Sequence, residues 1–408
     1  MSNYKFLYII PFFIILYILF LNKPTKSSPA SNAYYKEIQE KLILAQSGDT
    51  IFLPEGKIYL NRSLSADNLK NVTILGHGID KTIISFKKQI NGAEGLKITN
   101  SSNIILKDFT IQDAKGDLIK VEDTSNISFI NLKSEWTGKP KETNGAYGLY
   151  PVKSTNILID NCIAIGASDA GIYVGQSRNI IVKNSETYHN VAGIEIENST
   201  NADVYNNFSH DNSGGILIFD LPDLEVKSGN NVRVFNNIVM ENNFRNFAPT
   251  GNIVASVPSG TGIMVLATSN VEIFNNKIYD NKTANTSVVS YHILEEPITD
   301  PAYYPYPRYI FIHDNTFKRH KKLPSLSFKQ PIGILLASKF FNNVPDIIFD
   351  GILDDKNIGP NRYIPICINN NINATFLNLD AGNDFNNLST NTVDFECILP
   401  QLSPTVLD

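Results

Sequence analysis

The chain has 408 residues, of which 42% are hydrophobic and 18% charged, with a formal net charge of −5. Binding to nucleic acid is dominated by phosphate neutralisation, so a net negative chain excludes nucleic acid as the expected partner. Few charges combined with abundant Asn, Ile and Ser suit stacked strands joined by polar turns and disfavour helical bundles.

Lys5 precedes an uncharged run from Phe6 to Leu21, followed by Asn22-Lys23-Pro24. The run is at the upper end of signal-peptide lengths and short for a bilayer span, so residues 1–33 read as an export signal or an N-terminal membrane anchor. Ser31-Asn32-Ala33 supplies small residues for cleavage. Either reading places the body outside the cytoplasm, as a periplasmic, cell-surface or secreted protein. Residues 34–48 are expected to form a cap, in which an amphipathic helix from about Ala33 to Ile43 covers the open end of an apolar core. Gly48 to Gly56 then reads as a first strand and turn.

Residues 49–284 carry the strongest signal, a repeat. Gly148-Leu149-Tyr150 leads to Asn156-Ile157-Leu158-Ile159, and Gly171-Ile172-Tyr173-Val174 leads to Asn179-Ile180-Ile181-Val182. Gly193-Ile194-Glu195-Ile196 leads to Asn201, and Gly215-Ile216-Leu217-Ile218 follows. From Gly148 the steps are 23, 22 and 22 residues. That period holds three short strands and their turns, which is one coil of a right-handed parallel β-helix, an all-β solenoid with a single chain winding through every coil. Alternation directs Ile172, Val174, Ile194 and Ile196 inward and Tyr173 and Glu195 outward. Asn103, Asn126, Asn156, Asn179 and Asn201 fall at one turn of successive coils, where asparagine tolerates a left-handed backbone and its amide can bond to the next one along the stack.

Two steps are longer. Asp117 to Gly148 leaves about nine extra residues, placed in a loop over 135–143. Gly215 to Gly262 spans 47 residues, which reads as two coils with an excursion near Ala248 to Gly260. From 285 to 408 the pattern loosens around Pro297, Pro301, Pro305 and Pro307, resumes at Tyr309-Ile310-Phe311-Ile312, and fades into an irregular C-terminal cap. Cys162 reads as a buried small residue, and the spacing leaves a Cys367–Cys397 disulfide open. His210-Asp211-Asn212 and His313-Asp314-Asn315 lie several coils apart, too far to share an ion, and read as turns.

The repeat between Gly145 and Gly215, with Ala167-Ser168-Asp169-Ala170-Gly171 and Val191-Ala192-Gly193, resembles a family of exported bacterial right-handed parallel β-helix repeat proteins of unassigned activity. That resemblance implies the fold, an extracytoplasmic location, and a co-exported partner, some such partners having cytochrome-like features. A more distant similarity is to mannuronan C5-epimerases and polysaccharide lyases, whose Tyr-Gly-Phe-Asp-Pro-His segment corresponds to Tyr147-Gly148-Leu149-Tyr150-Pro151-Val152. The motif's acid and imidazole are Tyr150 and Val152 here, so chemistry by that motif is not carried over.

A second constellation takes its place. Aligned on their glycines, the coils are expected to gather Asp169, Tyr173, His189, Glu195, Glu197 and Asp211 into an outward, mostly acidic patch. Asp169, His189 and Glu195 are the candidate catalytic groups, with Tyr147, Tyr150, Tyr173, Glu197 and Asp211 binding substrate. Paired carboxylates at such spacing suit a polysaccharide lyase, glycoside hydrolase or uronate epimerase. The same carboxylates are oxygen ligands of the kind Ca²⁺ favours; no other cofactor is evident. Two functions follow: binding and modification of an extended polysaccharide, or a non-catalytic surface scaffold for an exported partner protein. Solvated surface acids are the plain alternative to either, and a groove walled by the 135–143 loop would favour the first.

Overall fold

Segments in which aliphatic and polar residues alternate stack here in parallel register, each pairing with its counterpart one coil away. In the computed structural model, which describes residues 29–354, 356 and 365–407, the strands form two sheets. An eleven-stranded sheet takes one strand from each coil and a nineteen-stranded sheet takes the others. In the first, Ala170 pairs with Ala192 and Ala192 with Gly214; in the second, Ile180 pairs with Ala202 and Ala202 with Val232. The inward rows Ile172, Ile194, Ile216, Ile263 and Val182, Val204, Val234, Ile273 are fully or almost fully buried. Cys162 joins the same core.

One expectation fails. Gly214 pairs directly with Thr261 and Asn230 with Ser269, so the 47-residue step is a single coil carrying insertions, not two coils. An inserted segment can leave the ladder and return without interrupting it. The strand Ala284–Val289 continues the eleven-stranded sheet across the point where the sequence pattern loosens, and pairing persists to Phe376–Asn378.

Asparagine fixes the turns in three ladders. The expected outer one holds: Asn126 Nδ2 donates to Asn103 Oδ1 at 2.7 Å, Asn156 to Asn126 at 2.8 Å and Asn179 to Asn156 at 2.9 Å. Asn103, Asn126, Asn156 and Asn179 all have φ of 56°. Two further ladders are buried, Asn190, Asn212, Asn242, Asn281 and Asn207, Asn237, Asn276, Asn315. Asn237 uses its whole amide: Oδ1 accepts from the N–H and Nδ2 of Asn207, and Nδ2 donates to the Val204 carbonyl and Asn276 Oδ1. The two His-Asp-Asn tripeptides feed these ladders through Asn212 and Asn315. Each histidine is held between its own aspartate and a glutamate of an earlier coil, His210 by Asp211 and Glu186 and His313 by Asp314 and Glu272.

The helix Pro29–Leu44 closes one end by placing Ile38 and Leu42, four residues apart on one face, in the core. The apolar run Phe6–Leu21, expected to be an export signal or anchor, lies outside the described residues. Among the described residues no helix is long and apolar enough to cross a membrane. At the other end Cys367 and Cys397 form a disulfide, with Cα atoms 5.1 Å apart. From there the tail runs back over the outward row Cys367, Phe311, Glu272, Arg233, Asp203. The Leu402 N–H donates to Glu272 Oε2 at 3.0 Å and the Thr405 hydroxyl to Asp203 Oδ1 at 3.2 Å. This strap explains why Asp203 and Glu272 are buried on an outward face, with Arg233 Nη1 2.9 Å from Asp203.

Two stability predictions follow from these contacts. Asn237→Ala strands partners on the coils before and after it and should cost about 3 kcal/mol or more in urea unfolding, whereas Asn201→Gly, at an exposed turn with φ of 58°, should cost less than about 1 kcal/mol; equal losses would refute a special role for the buried ladders. Reducing Cys367–Cys397 should make residues 398–407 cleavable in limited proteolysis and remove about 3 kcal/mol of stability. A tail that stays protected under reductant would show that the Leu402 and Thr405 contacts hold it without the bond.

Candidate active site

The outward row of the eleven-stranded sheet changes character from coil to coil. Lys97 pairs with Lys120 and Lys120 with Tyr150; further along, Tyr173 pairs with Glu195 and Glu195 with Leu217. Basic, aromatic, acidic and apolar side chains therefore succeed one another along a single line. At its centre three tyrosines pack together, with ring centroids 4.3 Å apart for Tyr147 and Tyr173, 4.5 Å for Tyr147 and Tyr150, and 5.0 Å for Tyr150 and Tyr173. Lys120 Nζ stands 5.2 Å from the Tyr150 ring centroid. Gly175 makes room for this packing: a Cβ there would lie 2.4 Å from the Tyr173 ring and hydroxyl. The freed ring lies over Gly175, and its hydroxyl donates to Glu197 Oε1 at 2.6 Å.

Beside the tyrosines are three carboxyl groups. Glu195 and Glu197 are two residues apart on one strand, which puts them on the same face about 7 Å apart along it. Asp169 lies immediately before the adjacent strand, Ala170–Gly175. All three are buried, Glu195 to 1% exposure. This overturns the plain alternative, in which these acids are solvated surface. The cover is the insertion of the 47-residue coil, whose Phe247, Ala248, Val254 and Val257 pack on Tyr173, Leu217, Phe219 and Met264 to make a second hydrophobic cluster. Asn252, within that insertion, donates from Nδ2 to Asp169 Oδ2 at 3.0 Å. The 135–143 loop does not supply the cover; its Trp136 packs into the main core and donates from Nε1 to the Ala114 carbonyl at 2.8 Å.

Burial decides the protonation of these acids, since removing a carboxylate from water disfavours its charge. Burial and then the Glu197 charge push Asp169 up to about 7, against the pull of the Asn252 hydrogen bond. Burial likewise raises Glu197 to about 7, although the Tyr173 hydroxyl opposes it. Glu195 is held well above its ordinary value by burial, then by Asp169 and Glu197, and its Oε2 has no hydrogen-bond partner among the described residues. Burial also raises the tyrosine hydroxyls. The arrangement holds protons at neutral pH in a cluster where one shift in occupancy changes its neighbours.

Of the residues singled out in the sequence, the structure gathers Asp169, Glu195, Glu197, Tyr147, Tyr150 and Tyr173. His189 and Asp211 stay apart from them. The His189 ring lies against Tyr188 and Phe244, and the Asp211 carboxylate is exposed and accepts from His210 Nδ1 at 2.8 Å. Both occupy turns with positive φ, 58° and 51°, which turn them away from the cluster of the other six. Sequence reasoning missed two neighbours. Asp117, raised to about 6 mainly by burial, accepts from the Tyr147 N–H at 3.1 Å, and its place at the head of a repeated strand could have been read from the coil register. Asn252 arrives from 83 residues away in a segment without a repeat, so no local signal marks it. Among the described residues no group of three or more His, Cys, Asp or Glu side chains is arranged to hold a metal ion.

Residues 94–252 match a family model described as right handed beta helix region. Solved structures with similar architecture include the mannuronan C-5 epimerase A-module of Azotobacter vinelandii, with 14% identity and a TM-score of 0.49 over 84% of this chain and 89% of that one. An alginate lyase from Paenibacillus sp. has 14% identity and a TM-score of 0.46 over 70% of this chain and 96% of that one. An exopolygalacturonase from Thermotoga maritima has 14% identity and a TM-score of 0.48 over 71% and 84%. A comparison with curated protein sequences finds no match. The chain is a right-handed parallel β-helix, with a buried carboxyl and tyrosine cluster on one outward face.

The raised acids fix the sign of the pH dependence. A carboxyl whose pKa is higher folded than unfolded binds more protons in the native state, so its contribution to stability is present at low pH and lost as pH rises through the folded value. Asp169 and Glu197 place that loss between about pH 4 and 7. His313 acts in the same direction: burial lowers its pKa, but hydrogen bonds to Glu272 and Asp314 prevail and raise it. Thermal melts should therefore show higher stability at pH 5 than at pH 8. The difference should shrink in an Asp169→Asn/Glu195→Gln/Glu197→Gln variant; an unchanged difference would assign it to other groups.

Proposed function

We propose that this protein acts outside the cytoplasm on an extended polysaccharide, binding it along the outward face of the eleven-stranded sheet and modifying it by acid and base chemistry at Asp169, Glu195 and Glu197. The observation that carries the reading is the buried carboxyl cluster beside three packed tyrosines, with Glu195 Oε2 left without a hydrogen-bond partner among the described residues. Keeping three uncompensated carboxyls in an apolar setting opposes folding, and sites with such shifts are suited to proton transfer near neutral pH. Two carboxyls about 7 Å apart also fall within the separation used in glycoside cleavage.

Substrate approaches from the Lys120 side, where Tyr147 and Tyr150 are only half buried and offer ring faces to a sugar. The carboxyls lie at the covered end, where the 244–257 insertion excludes water. Asn252, in that insertion, donates to Asp169 and pulls its pKa down, so the segment that buries the acid also tempers it. Export, by the segment ahead of residue 34, brings the protein to its polymer.

The test is a panel of uronate-containing and neutral polysaccharides, with and without Ca²⁺, scored for binding and for product. Glu195→Gln and Asp169→Asn should each reduce turnover at least about 100-fold, the lower range for a lost acid or base, while binding changes little. Tyr150→Ala should weaken binding. Binding without product in the unaltered protein would reduce the activity to recognition. No response to any glycan would transfer the function to a scaffold for an exported partner protein, such as one with cytochrome-like features.

A further inference from the structure

Between Asp314 and Asp346 the chain contains no acidic residue, yet it carries Lys318, Arg319, Lys321, Lys322, Lys329 and Lys339. This is unusual in a molecule of net charge −5. The stretch leaves the coil after the strand Thr316–Lys318 and returns at Ile347–Phe349, forming an insertion with the helix Ile332–Phe340. Its inner side is anchored. Leu336 is fully buried, Gln330 Nε2 donates to the Ala255 carbonyl at 2.7 Å, and the Ser325 N–H donates to Thr283 Oγ1 at 3.0 Å.

Its outer side is apolar where apolar residues are not expected. Phe328 is 93% exposed, Phe341 66%, Leu326 54% and Leu323 41%. Phe341 also holds φ at 53°, a conformation uncommon for a bulky side chain. Arg319 is engaged by Asp346 and Lys322 by Glu241, while Lys318, Lys321, Lys329 and Lys339 are exposed and form no ion pair among the described residues.

We propose that this insertion docks the protein on an anionic phospholipid bilayer, with Phe328, Leu326 and Leu323 entering the interface and the exposed lysines meeting the headgroups. Exposed large apolar side chains interleaved with lysines are the composition that settles at the boundary of headgroups and acyl chains. An acidic glycan or acidic protein surface would pair with the lysines but would give Phe328 no apolar volume to enter, so the lipid surface accounts for both halves of the composition. The insertion is separate in sequence from the carboxyl and tyrosine cluster, and the proposal does not depend on that site's function.

The experiment is sedimentation of the folded body, residues 29–408, which holds every packed element described above. Vesicles of phosphatidylcholine alone are compared with vesicles mixed with phosphatidylglycerol. The body should bind the mixed vesicles, more weakly at high salt, and leave the neutral ones in solution. Leu326→Ser/Phe328→Ser and Lys321→Glu/Lys329→Glu should each reduce binding at least about ten-fold. Fluorescence of the sole tryptophan, Trp136, which is buried in the core, checks that both variants are folded. Absence of binding to mixed vesicles overturns the proposal. So does a serine variant that binds as well as the parent, which would identify a purely electrostatic surface for an acidic polymer.

Discussion

In a parallel stack each residue has as its nearest lateral neighbours its counterparts one coil before and one coil after, about 4.8 Å away. Whatever a position carries is therefore multiplied along a row. Rows of isoleucine and valine make the core, and rows of asparagine make the turns. A row of carboxylates would make a line of repulsion. Asp169, Glu195 and Glu197 approach that costly case, and the molecule accommodates them by burial and protonation instead of spacing them apart. The two glutamates fall in different rows, Glu195 between Tyr173 and Leu217 and Glu197 between Gly175 and Phe219, so no carboxyl stacks directly on another.

Covering that face is the task of the 47-residue coil. The ladder through Gly214 and Thr261 closes as if nothing had been inserted, so the chain between them is free to fold back over coils already laid down. Leu217, Phe219, Met264 and Leu266 give it an apolar floor, and Asn252 reaches past that floor to Asp169. A β-helix without such an insertion would have left Tyr173 and Glu195 in water with ordinary ionisation. The chemistry of the face is thus made by two parts of different character: a regular sheet that sets the spacing, and an irregular segment that sets the dielectric.

That division explains what the sequence disclosed. Period, inward rows and the outer asparagine ladder are properties of the regular part, and Ile172, Ile194 and Asn179 announce them through spacing alone. The gathering of Tyr147, Tyr150, Tyr173, Glu195 and Glu197 is also a register effect and was equally legible. Burial of those residues was not, because it depends on the downstream segment 244–257, whose Gly, Pro and Ser content says only that it leaves the coil. His189 and Asp211 were misplaced for a related reason. Glycine alignment puts them in one row correctly, and the His189 N–H does donate to the Asp211 carbonyl at 3.1 Å, but a left-handed turn takes that row off the sheet face. The buried ladders through Asn212 and Asn237 were hidden because a turn asparagine reads the same whether it faces water or core.

The nineteen-stranded sheet follows the same logic with the opposite electrostatics. There Asp203, Arg233 and Glu272 alternate in sign along one row, so proximity attracts, and the C-terminal strap covers charges that already satisfy one another. Shielding a row of opposite charges leaves each with a counter-charge, although burial still raises the Asp203 pKa against the pull of Arg233; shielding carboxyls that have no counter-charge favours binding protons. The two outward faces are therefore buried by similar means to different ends. On the face under the strap, removing the cover would expose ion pairs that water can solvate. On the face under the 244–257 insertion, removing it would release protons from Asp169 and Glu197 at neutral pH. Cover and acid state on that face are therefore linked, because the segment that buries Asp169 also donates a hydrogen bond to it.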